Sequence, residues 1–177
     1  FVSLLKRADM TRYELFLRET RTYEIIEDVK NFRSEIGVLF LNSYNRDVLT
    51  KMFDDNRLTY TSLFKARPHI FVSKSNPLAK HEVVSLEDLE DFPYLSYDQG
   101  IHNSFYYSEE ILSQIPHKKS IVVSDRATLF NLLIGLDGYT IATGILNSNL
   151  NGDNIVSIPL DIDDEIDIVY LKHEKAT

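Results

Sequence analysis

No cysteine occurs anywhere in the 177 residues. That excludes disulfides and thiolate chemistry and favours a reducing, cytoplasmic setting. Long hydrophobic runs are missing too: nothing approaches the roughly 18 consecutive apolar residues of a membrane span, and no stretch reads as a signal peptide. Basic residues are scarce. Lys and Arg total 19 against 27 Asp and Glu, a net charge of −8, so the chain by itself has no sequence-wide reason to bind phosphate backbones. The glycine-rich signatures of nucleotide sites and the G-x-S-x-G elbow of serine hydrolases are also absent.

Metal chemistry fares no better. His69, His81, His102, His117 and His173 are scattered without ligand spacing and read as surface or edge residues. The acidic run containing Asp161, Asp163, Asp164 and Asp167 lacks the glycine and closing glutamate of a calcium loop, so it reads as a solvated turn. Glu27 and Asp28 fall on a polar helix face and are expected to be solvated. No metal ligand, cofactor or catalytic residue is therefore assigned.

What remains is ordinary globular composition, 44% hydrophobic and 26% charged, in a chain long enough for one domain or two small lobes. Helix-like and strand-like periods alternate. Residues 13–19 alternate as a half-buried strand, and Ile25, Ile26, Val29 and Phe32 mark one face of a helix. Residues 36–41 form a continuous apolar run expected of a strand covered on both faces. A helix over 45–55 and a strand over 58–65 follow. Residues 69–73 make a further strand that breaks at Asn76-Pro77, and Ser85 with Asp88 opens a short helix through a capping-box pattern. Extended residues 94–97, a helix over 104–115, a strand at 121–123, a helix striped by Leu129, Leu132, Leu133 and Leu136, and a strand over 139–143 complete the pattern. Such alternation predicts an α/β protein with parallel sheets. The segments 69–74 and 167–172 are both short, apolar and lysine-terminated. They are expected either to pair as a two-stranded hinge or to be unrelated strands.

Two helix starts stand out. Thr20-Arg21-Thr22 brings hydroxyls, free N–H groups and a guanidinium to one point, and Ser124-Asp125-Arg126 repeats the arrangement with Ser124 as the expected N-cap. The first is a ready anion site reinforced by the helix dipole, and the two gain weight together if they face each other across a cleft. The ordinary reading is that both simply cap helices.

The runs LRETRTYEIIEDVKNFRSEIGVLFL (17–41), FVSKSNPLAKHEVVSLEDLEDFPYLSY (71–97) and VSDRATLFNLLIGLDGYTIATG (123–144) resemble, in order and spacing, the effector-binding domain of LysR-type transcriptional regulators. The resemblance implies a type 2 periplasmic-binding-protein-like fold, two α/β lobes joined by two crossover strands. The first lobe would comprise 1–66 plus 167–177, with its first strand missing, and the second 67–166. The resemblance also implies that a small polar or anionic effector contacts Thr20, Arg21, Thr22, Phe64, Arg67, Gln99, Asn103, Ser124 and Asp125. The partners implied are a second copy, in a homodimer or tetramer, and DNA only through an N-terminal winged helix-turn-helix outside this chain. The dimer contact would set 1–17 against 104–123. Because the chain opens at Phe1 rather than Met, it is expected to be a piece of a longer, cytoplasmic protein. An extracytoplasmic solute-binding protein is the alternative on the same fold, and an enzyme a more remote one.

Overall fold

A computed structural model of the protein describes Lys6, residues 14–146 and residues 153–176. The chain builds two separate sheets. The first has three strands, β1 (Gly37–Leu41), β8 (Ile166–His173) and β2 (Leu58–Ala66), with β8 in the middle and both pairings antiparallel. The helices α1 (Thr22–Lys30) and α2 (Arg46–Asp55) supply the apolar stripe for one face. Ile26, Val29, Leu49 and Phe53 from these helices meet Leu39, Leu41, Val169 and Leu171 from the strands. Gly37 permits this packing: a Cβ there would lie 2.6 Å from the Ile25 side chain, so α1 rests directly on the β1 backbone.

The second sheet has five strands in the order β5 (Ser120–Val123), β4 (Tyr94–Tyr97), β6 (Tyr139–Ala142), β3 (His69–Ser73) and β7 (Ile155–Pro159). Pairing is parallel among β5, β4 and β6 and antiparallel where β3 meets β6 and β7. Helix α3 (Arg126–Gly135) covers one face with Leu129 and Leu133 against Leu95, Val123 and Ile155. The other face packs Ile70, Val72 and Ile141 against Leu78, Val84, Leu89 and Ile111. The chain passes from the first sheet to the second between Ala66 and His69, and returns through Leu160 and residues 161–165 to β8.

Several expectations change. Segments 69–74 and 167–172 do not pair: β3 is enclosed by β6 and β7, while β8 takes β2 as its neighbour, with Lys65 opposite Asp167 and Ala66 opposite Ile166. The hinge-like pairing thus belongs to β2 and β8. Residues 14–19 are not a strand, and Leu15, Phe16 and Leu17 are exposed; Tyr13 lies outside the described residues. Residues 36–41 are fully covered on one face only: on the other, Phe40 is partly buried against the second-sheet core while Ile36 and Val38 are exposed, because the described helices lie on a single side of the small sheet. Phe32 sits beyond α1 at φ 58° and packs on the His173 ring instead of extending the helical face.

Residues 104–115 make only a 3₁₀ turn, Phe105–Tyr107, since its aromatic side chains face the first sheet and Glu110 is drawn to the Tyr97 backbone. The capping box at Ser85 forms in both directions but caps a single 3₁₀ turn, Glu87–Leu89. Asp28 is not solvated: it is buried and held by Arg33 at 2.8 Å and Arg18 at 3.3 Å. Asp167 likewise leaves the acidic turn for the interior of β8, where Ser62 and Arg46 bind it. His173 is buried and His117 stacks flat on Tyr94, so neither is a surface histidine.

Candidate functional site

The first helix tip is built around Arg21. Its backbone is extended (φ −69°, ψ 150°), and its carbonyl accepts the Ile25 N–H that opens α1. No side chain caps this end in the usual way. Instead the Thr20 hydroxyl donates to the Glu24 carboxylate in the first turn, where the helix dipole favours a negative charge. That hydroxyl first, and the Arg21 guanidinium after it, hold the Glu24 carboxyl below the usual carboxylate range. The expected anion position at this tip is thus filled by the chain's own glutamate.

Arg21 then reaches across to the second sheet. Its Nε donates to the Asp98 carbonyl at 3.0 Å and its Nη2 to the Asp98 carboxylate at 2.8 Å. The guanidinium lies over Gly100, where a Cβ would come within 2.9 Å of Nη1 and where φ is +63°. Only glycine suits both requirements. Arg21 therefore grips a carboxylate, as its planar fork suggests, and that carboxylate is Asp98.

The second tip is capped by Asp125, one residue beyond the expected Ser124. Asp125 is extended (φ −149°, ψ 156°) and accepts the Thr128 N–H at 2.9 Å and the Thr128 hydroxyl at 2.7 Å. These bonds, the N–H foremost, lower its carboxyl pKa. Arg126 follows, 3.6 Å from the Glu19 carboxylate of the facing segment.

Between the tips lies a cavity of about 330 Å³ lined from both sheets. Thr20, Arg21, Ser124 and Asp125 all line it, so four of the nine expected contact residues converge. Thr22 is buried and opens on an adjoining groove of about 220 Å³ beside Val38 and Phe40. Gln99 lies behind the wall, donating its amide to Glu109 at 3.2 Å. Phe64 on β2, Arg67 in the crossover and Asn103 are exposed and do not line the cavity.

Arg126, part of the second helix start, also lines the cavity, as do Glu19, Glu24, Tyr97, Asp98 and Glu109, which sequence reasoning did not single out. The adjacent pair Glu109-Glu110 behind an aromatic run was the available signal. Protein crowds Glu109 although water still reaches it, and this desolvation first, then the Glu19 charge, raises its pKa. Glu110 is buried and pushed up to about 8, chiefly by desolvation; its carboxyl accepts the Tyr97 N–H at 2.7 Å.

Aromatic side chains fasten the two sides together next to this cavity. Tyr23 of α1 stacks on His102 with ring centroids 3.5 Å apart and meets Tyr107 edge-on at 5.5 Å. Tyr44 stacks on Tyr106 at 4.8 Å, and the Tyr107 hydroxyl points to the Met52 sulfur at 3.7 Å. Among the described residues no cluster of His, Asp and Glu could hold a metal ion, and no helix is long and apolar enough to cross a membrane.

Two sheets, two crossings and facing helix tips accord with a match of residues 7–176 to the family model of the LysR substrate binding domain. The chain belongs to the LysR substrate binding domain family. Its fold is accordingly type 2 periplasmic-binding-protein-like, two α/β lobes joined by two crossovers. This LysR-family domain is similar to HinK, a LysR family transcriptional regulator from Pseudomonas aeruginosa, with TM-score 0.61 and 14% identity over 90% of this chain and 53% of that one. The effector binding domain of QuiR in complex with shikimate gives TM-score 0.61 and 18% identity over 89% of this chain and 70% of that one. The BenM effector binding domain with its effector benzoate gives TM-score 0.60 and 19% identity over 90% and 70%. The chain spans about half of the HinK chain. No curated protein sequence matches it.

Proposed function

We propose that this LysR-family chain is the effector-sensing part of a DNA-binding transcriptional regulator, holding a small polar molecule between its lobes. The lobes are 1–66 plus 167–177 and 67–166. One observation carries the reading: the start of α1 from one sheet and the start of α3 from the other line a single cavity. The small effectors of QuiR and BenM support a guest of modest size. Thr20, Arg21, Ser124 and Asp125 are the direct contacts, Gln99 supports the wall, and Thr22 lies beside it. Phe64, Arg67 and Asn103 lie outside the cavity lining and are not counted among the direct contacts.

The domain performs no chemistry on its guest. An effector touching both helix tips favours the closed arrangement by the difference of its affinities for the closed and open states, and nothing more. Tyr23, His102 and Tyr107 join the two lobes beside the cavity, where a change in lobe separation would be felt. The whole protein works in the cytoplasm as a homodimer or tetramer and meets DNA through a separate N-terminal winged helix-turn-helix. Exposed Leu15, Phe16 and Leu17 on one side and Val122 on the other suit the dimer contact.

A thermal-shift screen of amino acids, amines, organic acids and polar neutral compounds tests this function. At least one compound is expected to raise the melting temperature, with the rise reduced in Arg21→Ala and in Ser124→Ala. Stabilisation by a compound that both variants retain in full would place the guest elsewhere.

A further inference from the structure

Arg21 is the group on the first helix tip that would draw a carboxylate guest, and the fold already supplies one. Its Nε and Nη2 make a planar fork, and Asp98 answers both prongs, with its carbonyl at 3.0 Å and its carboxylate Oδ2 at 2.8 Å. Nη1 donates to the Glu24 carboxylate at 3.3 Å. A guanidinium carries five N–H groups, so these three bonds leave two. A guest carboxylate that needs the fork must displace Asp98. A hydroxyl or carbonyl oxygen needs only one of the remaining N–H groups.

Asp98 is held in this position by its own lobe. It follows β4, and its N–H donates to the Val123 carbonyl at the end of β5 at 2.8 Å. Its other carboxylate oxygen, Oδ1, accepts the Gly100 N–H at 2.9 Å. Gly100 in turn stands at φ +63°, with no room for a Cβ beneath the guanidinium. The loop is therefore shaped to the bridge, and Oδ2 is aimed at the first lobe where the carboxylate of a guest would sit. The two side chains are 39% and 45% exposed, and such pairs add little to stability. The bridge thus matters more for what Arg21 can bind than for holding the fold.

We propose that Asp98 is the specificity-determining residue of the cleft: it occupies Arg21 as a built-in competitor, turning carboxylates away and admitting a guest that meets Arg21 through an uncharged oxygen. The inference rests on the interlobe cavity being the effector site, and it narrows the polar guest at that end to a hydroxyl or carbonyl compound. Arg126, the other guanidinium lining the cavity, lies 3.6 Å from Glu19 and is likewise met by an acid of the chain.

The test titrates propionate and its uncharged isostere propionamide into this chain at equal ionic strength, following amide shifts in ¹⁵N NMR spectra. In the parent, propionate is expected to bind no tighter than propionamide at the Thr20, Arg21 and Gly100 signals. Asp98→Asn keeps the acceptor for the Gly100 N–H and removes the competing charge. It should tighten propionate by about tenfold and propionamide by less than about twofold. Asp98→Ala, which deletes the carboxylate altogether, should reproduce the gain. In an Arg21→Gln background the same Asp98→Asn change should give no gain, since the competitor then has nothing to guard. A gain that survives the loss of Arg21 would show that overall charge sets the preference, and the proposal is overturned. A parent that already prefers propionate, or an Asp98→Asn protein that binds it no better, overturns it equally while leaving the sensor reading standing. Loss of the sensor reading shows differently: the stabilising compounds of the thermal-shift screen would then move no cavity signal, and the inference falls with it.

Discussion

Tyr23 is one of the aromatic side chains that join the two lobes, and its removal is the perturbation whose size can be worked from the contacts. The ring stacks on His102 at a centroid distance of 3.5 Å, with planes 17° apart, and meets Tyr107 edge-on at 5.5 Å. Each aromatic pair contributes about 0.5–1.5 kcal/mol beyond its buried area. Tyr23 is only half-buried, so the lower half of that range applies and the two contacts together contribute about 1–2 kcal/mol. That is a factor of about 5–30 in the ratio of closed to open molecules. The Arg21–Asp98 bridge adds little by comparison: its side chains are 39% and 45% exposed, and such pairs contribute about 0–1 kcal/mol.

Tyr23→Ala is therefore expected to open the lobes measurably, Asp98→Asn to open them less, and Tyr23→Phe, which keeps the ring, to behave as the parent. Because the chain contains no cysteine, spin labels can be attached at Lys51→Cys and Lys80→Cys, exposed positions on opposite lobes. Pulsed electron–electron resonance then reads the distance distribution directly. A second, longer population should appear in Tyr23→Ala, and effector affinity should fall by no more than the factor of about 5–30 set by the lost closed fraction. Identical distributions in Tyr23→Ala and the parent would show that the stack does not hold the lobes, and the closure argument would fail.

Other consequences follow from single residues. Gly100→Ala places a methyl 2.9 Å from the Arg21 guanidinium at a backbone φ of +63°, so it should detach Arg21 from Asp98 and weaken any effector that contacts Arg21; unchanged effector binding by calorimetry would count against that geometry. Glu110, buried and with a carboxyl pKa of about 8, is raised above its unfolded value. Its neutral form is the one the fold prefers, so the contribution is complete below about pH 4 and is lost as pH rises toward 8. Glu110→Gln, which still accepts the Tyr97 N–H, should flatten that decline by an amount on the order of a few kcal/mol, and parallel pH profiles in urea melts of the two proteins would refute it. Leu133→Ala, at a site 0% exposed on the buried face of α3, should cost about 2–5 kcal/mol in the same assay, and a loss below 1 kcal/mol would mean that α3 does not pack on the second sheet as described. Arg57→Gly relieves a left-handed residue at φ 57° just after α2 and is expected to raise stability by about 1 kcal/mol; a lower melting temperature would contradict it.

The elements legible in the sequence were those whose periodicity is set by one packed face. Helix α1 announces itself through Ile25, Ile26 and Val29, and α3 through Leu129 and Leu133, because each buries a stripe that recurs every turn. The failures share a different cause: their structure is dictated by partners distant in the chain. Residues 14–19 alternate as a strand should, yet alternation specifies only that one side be buried, not that a neighbour be present to hydrogen-bond. Segment 104–115 has helix-compatible spacing, but Tyr106 stacks on Tyr44, Tyr107 meets Tyr23 edge-on, and Glu110 accepts the Tyr97 N–H, contacts that a continuous helix would break.

The site divides the same way. Thr20, Arg21, Ser124 and Asp125 were readable because a helix start is a local event with local chemistry. What those tips hold was not readable, because it depends on which charges meet across the cleft. Arg21 alone suggests an anionic guest. Arg21 with Asp98 2.8 Å away and Glu24 3.3 Å away is a bridge whose charge is already matched within the fold. The charge a pocket prefers is a property of the whole set of neighbours, and here one of Arg21's two partners, Asp98, lies 77 residues away, just after β4.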